Sequence, residues 1–279
     1  MKILEIIKAI FLGIVEGITE WLPISSTGHM ILVDEFIKLK VSSEFMELFL
    51  VVIQLGAIAA VPIVFWHRLN PFSKRKSAEE RSATWNLWGK VILGVLPAAV
   101  VGVLFDDFFE EHFYNYPVVS VALIVYGIAF ILVEKIKSGK NYRINSVHDL
   151  TYKDALVIGA FQMLSLIPGT SRSGSTILGG MLTGVSRVAS AEFSFFMAIP
   201  VMLGASLLKI VKFALAGVTV SGFEISLLLV AMAVSFAVSL VAIKFLMEFV
   251  KKHNFTPFGV YRILLGTVVI GYFLIKSFV

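Results

Sequence analysis

Six apolar stretches dominate this chain, at residues 45–66, 87–105, 117–133, 193–216, 223–247 and 257–278. A helix rises 1.5 Å per residue, so about 17–25 apolar residues cross the roughly 30 Å hydrocarbon core of a bilayer. Every one of the six qualifies. Of the 279 residues, 58% are hydrophobic and 15% charged, against about 25% charged in soluble domains. Mean hydropathy is +0.90. No soluble core hides that much apolar surface, so the solvent is lipid. The chain reads as one all-α integral membrane domain, 1–279. It contains no cysteine, which excludes a disulfide framework and any thiolate nucleophile or ligand. The net charge of +5 fits basic cytoplasmic loops, not nucleic-acid binding. Residues 1–15 are apolar after Lys2, as in a signal peptide. Glu5 and Lys8 interrupt the run and no small-x-small cleavage site follows, so the segment is expected to be retained.

Loop charges set an orientation. Residues 67–90 carry Arg68, Lys74, Arg75, Lys76, Arg81 and Lys90. Residues 135–153 carry Lys135, Lys137, Lys140, Arg143 and Lys153, and the turn before Pro257 carries Lys251 and Lys252. The positive-inside rule places these three in the cytoplasm. The acidic loop of Asp106, Asp107, Glu110 and Glu111 and the neutral turn 217–222 then fall outside. One alternating path satisfies all five and puts both termini outside.

Two apolar regions do not fit as spans. Region 10–36 is broken by Glu16, Glu20, Pro23 and small polar residues. Region 155–185 is broken by Pro168-Gly169 and a second polar run. Each half is too short to cross, and each break would strand backbone groups in lipid. Both are expected to be re-entrant helix–loop–helix hairpins, buried in protein or lining a watery cavity. They also look alike. A shift of 146 residues pairs Gly13 with Gly159, Glu16 with Gln162, Ser25 with Ser171 and Gly28 with Gly174, while Pro23 and Pro168 pair after a one-residue slip. The spans that follow start on opposite faces. This predicts an inverted-topology repeat with cores 1–66 and 155–216, whose loops meet near the midplane, as in many transporters.

The breaks carry the polar chemistry. Glu16 and Glu20 are four residues apart and share a helix face. Carboxylates at membrane depth are costly and usually functional. Two side by side call for a divalent cation between them, Mg²⁺ or Ca²⁺, or for a proton on one. The competing reading is a solvated extramembrane pair. Ser25, Ser26, Thr27 and Gly28 follow Pro23 and open a helix, where free amides favour phosphate; plain capping by serine is the alternative. His29 follows within one turn, and hydroxyl, base and acid are the parts of phosphoryl chemistry. The second break offers Ser171, Arg172, Ser173 and Thr176. A guanidinium suits bidentate phosphate binding, amides and hydroxyls can cradle the other oxygens, and an interfacial arginine is the bland alternative. Residues 169–176 nearly match a P-loop, but Ser175 stands where the lysine belongs and no parallel-sheet pattern surrounds it, so an ATPase is excluded.

The runs EGITEWLPISSTGHM and PGTSRSGST resemble the two signature motifs of the undecaprenyl-pyrophosphate phosphatases, the family associated with bacitracin resistance. EFMELFLVVIQLGA and SAEFSFFMAIPVMLGAS are also similar to that family's segments. The resemblance spans nearly the whole chain. It implies a divalent-cation-dependent hydrolase of the bacterial inner membrane that recycles the lipid carrier of cell-wall synthesis. It also implies a site built from Glu16, Glu20, Ser25, Ser26, His29, Ser171, Arg172, Ser173 and Thr176, with Gln54 lining the pocket. On this reading Arg172 and the loop amides hold the pyrophosphate, Glu16 and Glu20 the cation, and Ser26 attacks with His29 managing the proton. Attack by water, with Ser26 as a ligand, stays open, and so does a homodimer. The acidic external loop favours a site open to the outer face. The rival is a polyprenyl-phosphate transporter or flippase, because a midplane inverted repeat serves either function.

Overall fold

The computed structural model describes residues 2–278; the side chains of residues 34, 110, 277 and 278 lie outside that description. Every regular element is helical, apart from a single bridge between Ile144 and Val185. The first helix, α1 (Lys2–Thr19), turns at residues 20–25 into α2 (Ser26–Phe36). The third stretch is broken into α3 (Ser43–Val52), α4 (Gln54–Ile58), α5 (Ala60–Val64) and α6 (Trp66–Leu69). Pro62 removes one donor there, and Gly56 sits so close to α12 that a Cβ would lie 2.2 Å from the Met232 carbonyl. Then come α7 (Ala78–Phe113), α8 (Tyr116–Lys137), α9 (Tyr152–Met163), α10 (Arg172–Leu182), α11 (Arg187–Leu215), α12 (Gly222–Lys252) and α13 (Thr256–Phe278).

Six of these helical stretches are long and apolar enough to cross a membrane, and they are the six expected. Most run longer than hydropathy alone suggests, because capped polar turns extend them. Ser77 caps α7 reciprocally with Glu80, and Ser221 caps α12 reciprocally with Glu224. The expected acidic loop is not a loop. The backbone kinks at Phe105 (φ −126°, ψ 18°) but helix resumes to Phe113, since no breaker intervenes before Asn115 and Pro117. Asp106 and Asp107 face Lys212 from this extension, at 2.8 and 3.0 Å. The Glu110 side chain lies outside the described residues. Large apolar side chains such as Leu104, Val241 and Ile275 are more than 60% exposed, as lipid-facing residues are.

The helices pack in reciprocal pairs. The first helix lies on α12, α9 lies on α7, and α8 lies on α13. Backbones touch at small residues. A Cβ on Gly13 would meet the Ala231 carbonyl at 2.6 Å, and one on Gly159 the Gly94 carbonyl at 2.1 Å. Without a hydrophobic drive between helices in lipid, such close approach supplies the van der Waals contact that holds them. Polar ties gather at the two ends of the bundle. Glu35 pairs with Lys276, and Lys212 with the two aspartates, where the loops are expected outside. Arg143 pairs with Asp154, and Arg187 with Glu134, where they are expected inside.

Candidate active site

Two strained serines open the helices that frame the site. Ser25 (φ 73°, ψ 97°) and Ser171 (φ 73°, ψ 127°) are the non-glycine residues at positive φ among those described. The left-handed region costs an L residue roughly 1–2 kcal/mol, so glycine would be the easy choice. A serine is kept because its hydroxyl caps the helix. Ser25 Oγ accepts from the Gly28 amide at 3.2 Å, and Ser171 Oγ from the Gly174 amide at 3.1 Å. The two strained serines stand 146 residues apart, each at the N-cap of its helix. The amides of the first helical turn have no intrahelical acceptor, so both α2 and α10 offer donors beside the serines.

The turns meet through Glu20. Its Oε2 accepts from the Ser26 hydroxyl at 2.6 Å. Its Oε1 accepts from Arg172 Nη2 at 3.0 Å and Nε at 3.4 Å. Arg172 Nη1 donates to the Ser194 carbonyl at 2.8 Å and hydroxyl at 3.3 Å, and Thr176 Oγ1 lies 2.7 Å from that hydroxyl. All three guanidinium nitrogens are thus engaged, Nε and Nη2 by Glu20 and Nη1 by Ser194. The bidentate edge expected to grip phosphate holds Glu20. Ser173 Oγ donates to the Glu20 carbonyl at 3.2 Å and lies 3.1 Å from Ser171 Oγ, which stitches the two turns together. Glu20 is 6% exposed and the Arg172 side chain 9%, so neither belongs to a solvated loop.

The expected Ser26–His29 pair is not formed. His29 Nδ1 lies 2.7 Å from the Ser25 carbonyl, which can only accept, so Nδ1 carries the proton. In the neutral ring Nε2 then accepts from the Tyr261 hydroxyl at 2.7 Å. Ser26 points back toward the turn that carries Glu20, and His29 points toward α13. Glu20 therefore stands where sequence spacing suggested the histidine.

Glu16 is 1% exposed, and its Oε1 has no hydrogen-bond partner among the described residues. A buried carboxylate oxygen left bare is costly and calls for a cation or a proton. The donor set fits a hard divalent ion: one free carboxylate, a second carboxylate one turn on, and a nearby serine hydroxyl. Among the described residues no third acidic or histidine group joins them. Water and substrate oxygens would have to complete the coordination. Gln54 opens α4 at the break after Ile53 and is half-buried, as is Thr27 in the first turn of α2.

Three further residues touch this site without having stood out in the sequence. Ser194 braces Arg172 and Thr176. Tyr261 meets His29. Arg262, fully buried, donates to carbonyls of both turns. Only Arg262 left a signal, as the lone charge in a span that is otherwise uncharged up to Lys276.

Residues 9–268 match the family model described as bacitracin resistance protein BacA. Named relatives are similar along their whole length. An undecaprenyl-diphosphatase of Enterococcus faecalis is 60% identical over 96% of this chain and 97% of its own. One of Desulfitobacterium hafniense is 54% identical over all of both chains. An undecaprenyl-diphosphatase 1 of Clostridioides difficile is 56% identical over 98% and 97%.

Proposed function

The chain belongs to the bacitracin resistance protein BacA family, and we propose that it hydrolyses undecaprenyl pyrophosphate to undecaprenyl phosphate and inorganic phosphate in the bacterial cell membrane. The observation that carries this reading is the Ser26–Glu20–Arg172 chain across the two turns. It supplies a hydroxyl, a base in contact with it, and a cation beside the base. A transporter has no need of a hydroxyl held 2.6 Å from a carboxylate.

The steps follow from that contact. Glu20 takes the Ser26 proton as Oγ attacks the terminal phosphorus and the bond to the bridging oxygen breaks. Undecaprenyl phosphate leaves and takes that proton from Glu20. Water then attacks the phosphoserine and gives a proton to Glu20; the phosphorus–Oγ bond breaks, Glu20 returns that proton to Ser26 Oγ, and phosphate leaves with both residues restored. The Arg172 guanidinium and the first-turn amides of α2 and α10 not taken by the capping serines would serve the equatorial oxygens, where phosphoryl transfer concentrates charge. Glu16, with Glu20 and Ser26, would hold a divalent cation, which neutralises phosphate charge when bound. Purified protein in detergent should release phosphate from the lipid, lose that activity in excess chelator, and regain it with Mg²⁺ or Ca²⁺. No release from the untreated protein would sink the hydrolase reading; release undiminished by chelator would remove the cation.

We read α1–α2 and α9–α10 as re-entrant hairpins in an inverted repeat. The support is the shared offset: α9 to α13 follow the order of α1 to α8 about 146 residues later, and the packing of α1 on α12 mirrors that of α9 on α7. The site then lies between the two faces, opening outward. In this cysteine-free chain, a cysteine at Glu111 should react with an impermeant reagent added outside intact cells, and one at Arg75 should not. Both positions are exposed. The reverse labelling would overturn the orientation.

A further inference from the structure

Arg262 sits on α13 with none of its surface exposed. Its guanidinium donates to the Pro23 carbonyl at 3.1 Å, to the Gly169 and Thr170 carbonyls at 2.7 and 3.0 Å, and to the Leu123 carbonyl at 3.4 Å. Pro23 lies in the turn before Ser25, Gly169 and Thr170 lie in the turn before Ser171, and Leu123 belongs to α8. All four acceptors are main-chain oxygens. The guanidinium also stacks over Tyr126, 5.6 Å from the ring centroid.

A cation at membrane depth is expensive, and an ion pair is the usual compensation. Here carbonyl dipoles from two separate turns surround the charge. A guanidinium is rigid and planar, with donors at fixed angles. Holding Pro23 with one nitrogen and Gly169 with the other therefore fixes the distance between the turns. Arg172 lies three residues past Gly169, and Glu20 three residues before Pro23. Their contact depends on that distance. One residue earlier on the same helix, Tyr261 holds His29. The helix itself cannot slide freely, because α8 and α13 touch backbone to backbone. A Cβ on Gly259 would lie 2.7 Å from the Gly127 carbonyl, and one on Gly127 would lie 2.6 Å from the Gly259 carbonyl.

We propose that Arg262, with Tyr261 beside it, is the positioning element of the site: it sets the spacing of the two turns so that Arg172 of one meets Glu20 and the phosphate held at the other. This rests on the hydrolase reading given above.

The test is Arg262→Lys, which keeps the charge but replaces a rigid fork with a flexible point charge unable to span both turns. Folded, monodisperse variant should lose about 100-fold in kcat, the scale of an ångström-sized misplacement, with KM changed by less than about threefold. Spin labels on cysteines at Ile18 and Leu164, exposed positions flanking the two turns, should report a broader distance distribution in the variant than in the parent. A merely structural arginine would lower the yield of folded protein and leave kcat per folded molecule and the label distances unchanged. That result overturns the proposal. If Arg262→Lys does not fold, Tyr261→Phe decides. It removes one hydroxyl from a half-exposed ring, and about a tenfold loss in kcat supports the proposal while parental turnover overturns it. The parent enzyme assayed alongside keeps the two ideas apart. Its failure to release phosphate would end the hydrolase reading, whereas an active parent with an unaffected Arg262→Lys would end this one alone.

Discussion

Glu20→Gln is expected to lower turnover about 10³- to 10⁴-fold, near the upper end of what a positioned general base contributes. The substitution keeps the side chain's shape and leaves an oxygen for Arg172. It removes the proton acceptor from Ser26, whose hydroxyl lies 2.6 Å from the carboxylate. It also leaves the Arg172 charge, 9% exposed, without its counter-ion. Substrate affinity should fall far less than turnover, because the prenyl chain and the first-turn amides are untouched. The check is kcat and KM on purified variant of unchanged monodispersity. Turnover within about tenfold of the parent would mean that another group takes the proton, and His29 would return as the candidate.

Ser26→Ala is expected to abolish the phosphoenzyme and reduce turnover about 10³-fold or more, since among the described residues no other hydroxyl donates to the Glu20 carboxylate. Acid quenching of enzyme mixed with terminally labelled lipid should trap phosphate on Ser26 in the parent and none in the variant. Ser25→Ala should behave differently. Ser25 Oγ is engaged with the Gly28 amide, so its loss should appear as about 1 kcal/mol of stability, with a smaller effect on rate. If Ser26→Ala retains near-parental turnover and the parent shows no trapped phosphate, water is the nucleophile and the serine a ligand.

Much of this architecture was legible from hydropathy and charge alone. All six spans were found because lipid imposes one simple rule on length and polarity, and both polar turns were found because they break it. Span ends were misjudged where helix continues through charged residues. Asp106 and Asp107 look like loop, yet they lie on a helix and pair with Lys212, 106 and 105 residues away. Sequence spacing groups the site residues but does not say which of them touch. Ser26, Glu20, Arg172, Ser173 and Thr176 converge, and the Ser26 hydroxyl meets Glu20 instead of His29. Spacing along a helix says which residues are near in sequence, and it favoured His29 at three residues over Glu20 at six. The turn at residues 20–25 reverses that ranking, because the strained backbone of Ser25 folds α2 back on the end of α1. Tyr261, Arg262 and Ser194 lie too far along the chain for spacing to reach. A lone arginine amid apolar residues was the one clue, and it carries no hint of which carbonyls it meets.

The packing of α1 on α12 and of α9 on α7 has a consequence in time. When α1 emerges from the ribosome, the helix it rests on does not yet exist; about 200 residues separate the end of α1 from the start of α12. At 5–20 residues per second that is a wait of roughly 10–40 s. The second helix pair, α9 and α10, has no such wait, since α7 is already made when α9 appears. The two polar turns are therefore unequal during synthesis. Glu16 near the end of α1 and Glu20 in the turn after it must be sheltered by something other than their final neighbours until the chain is almost complete.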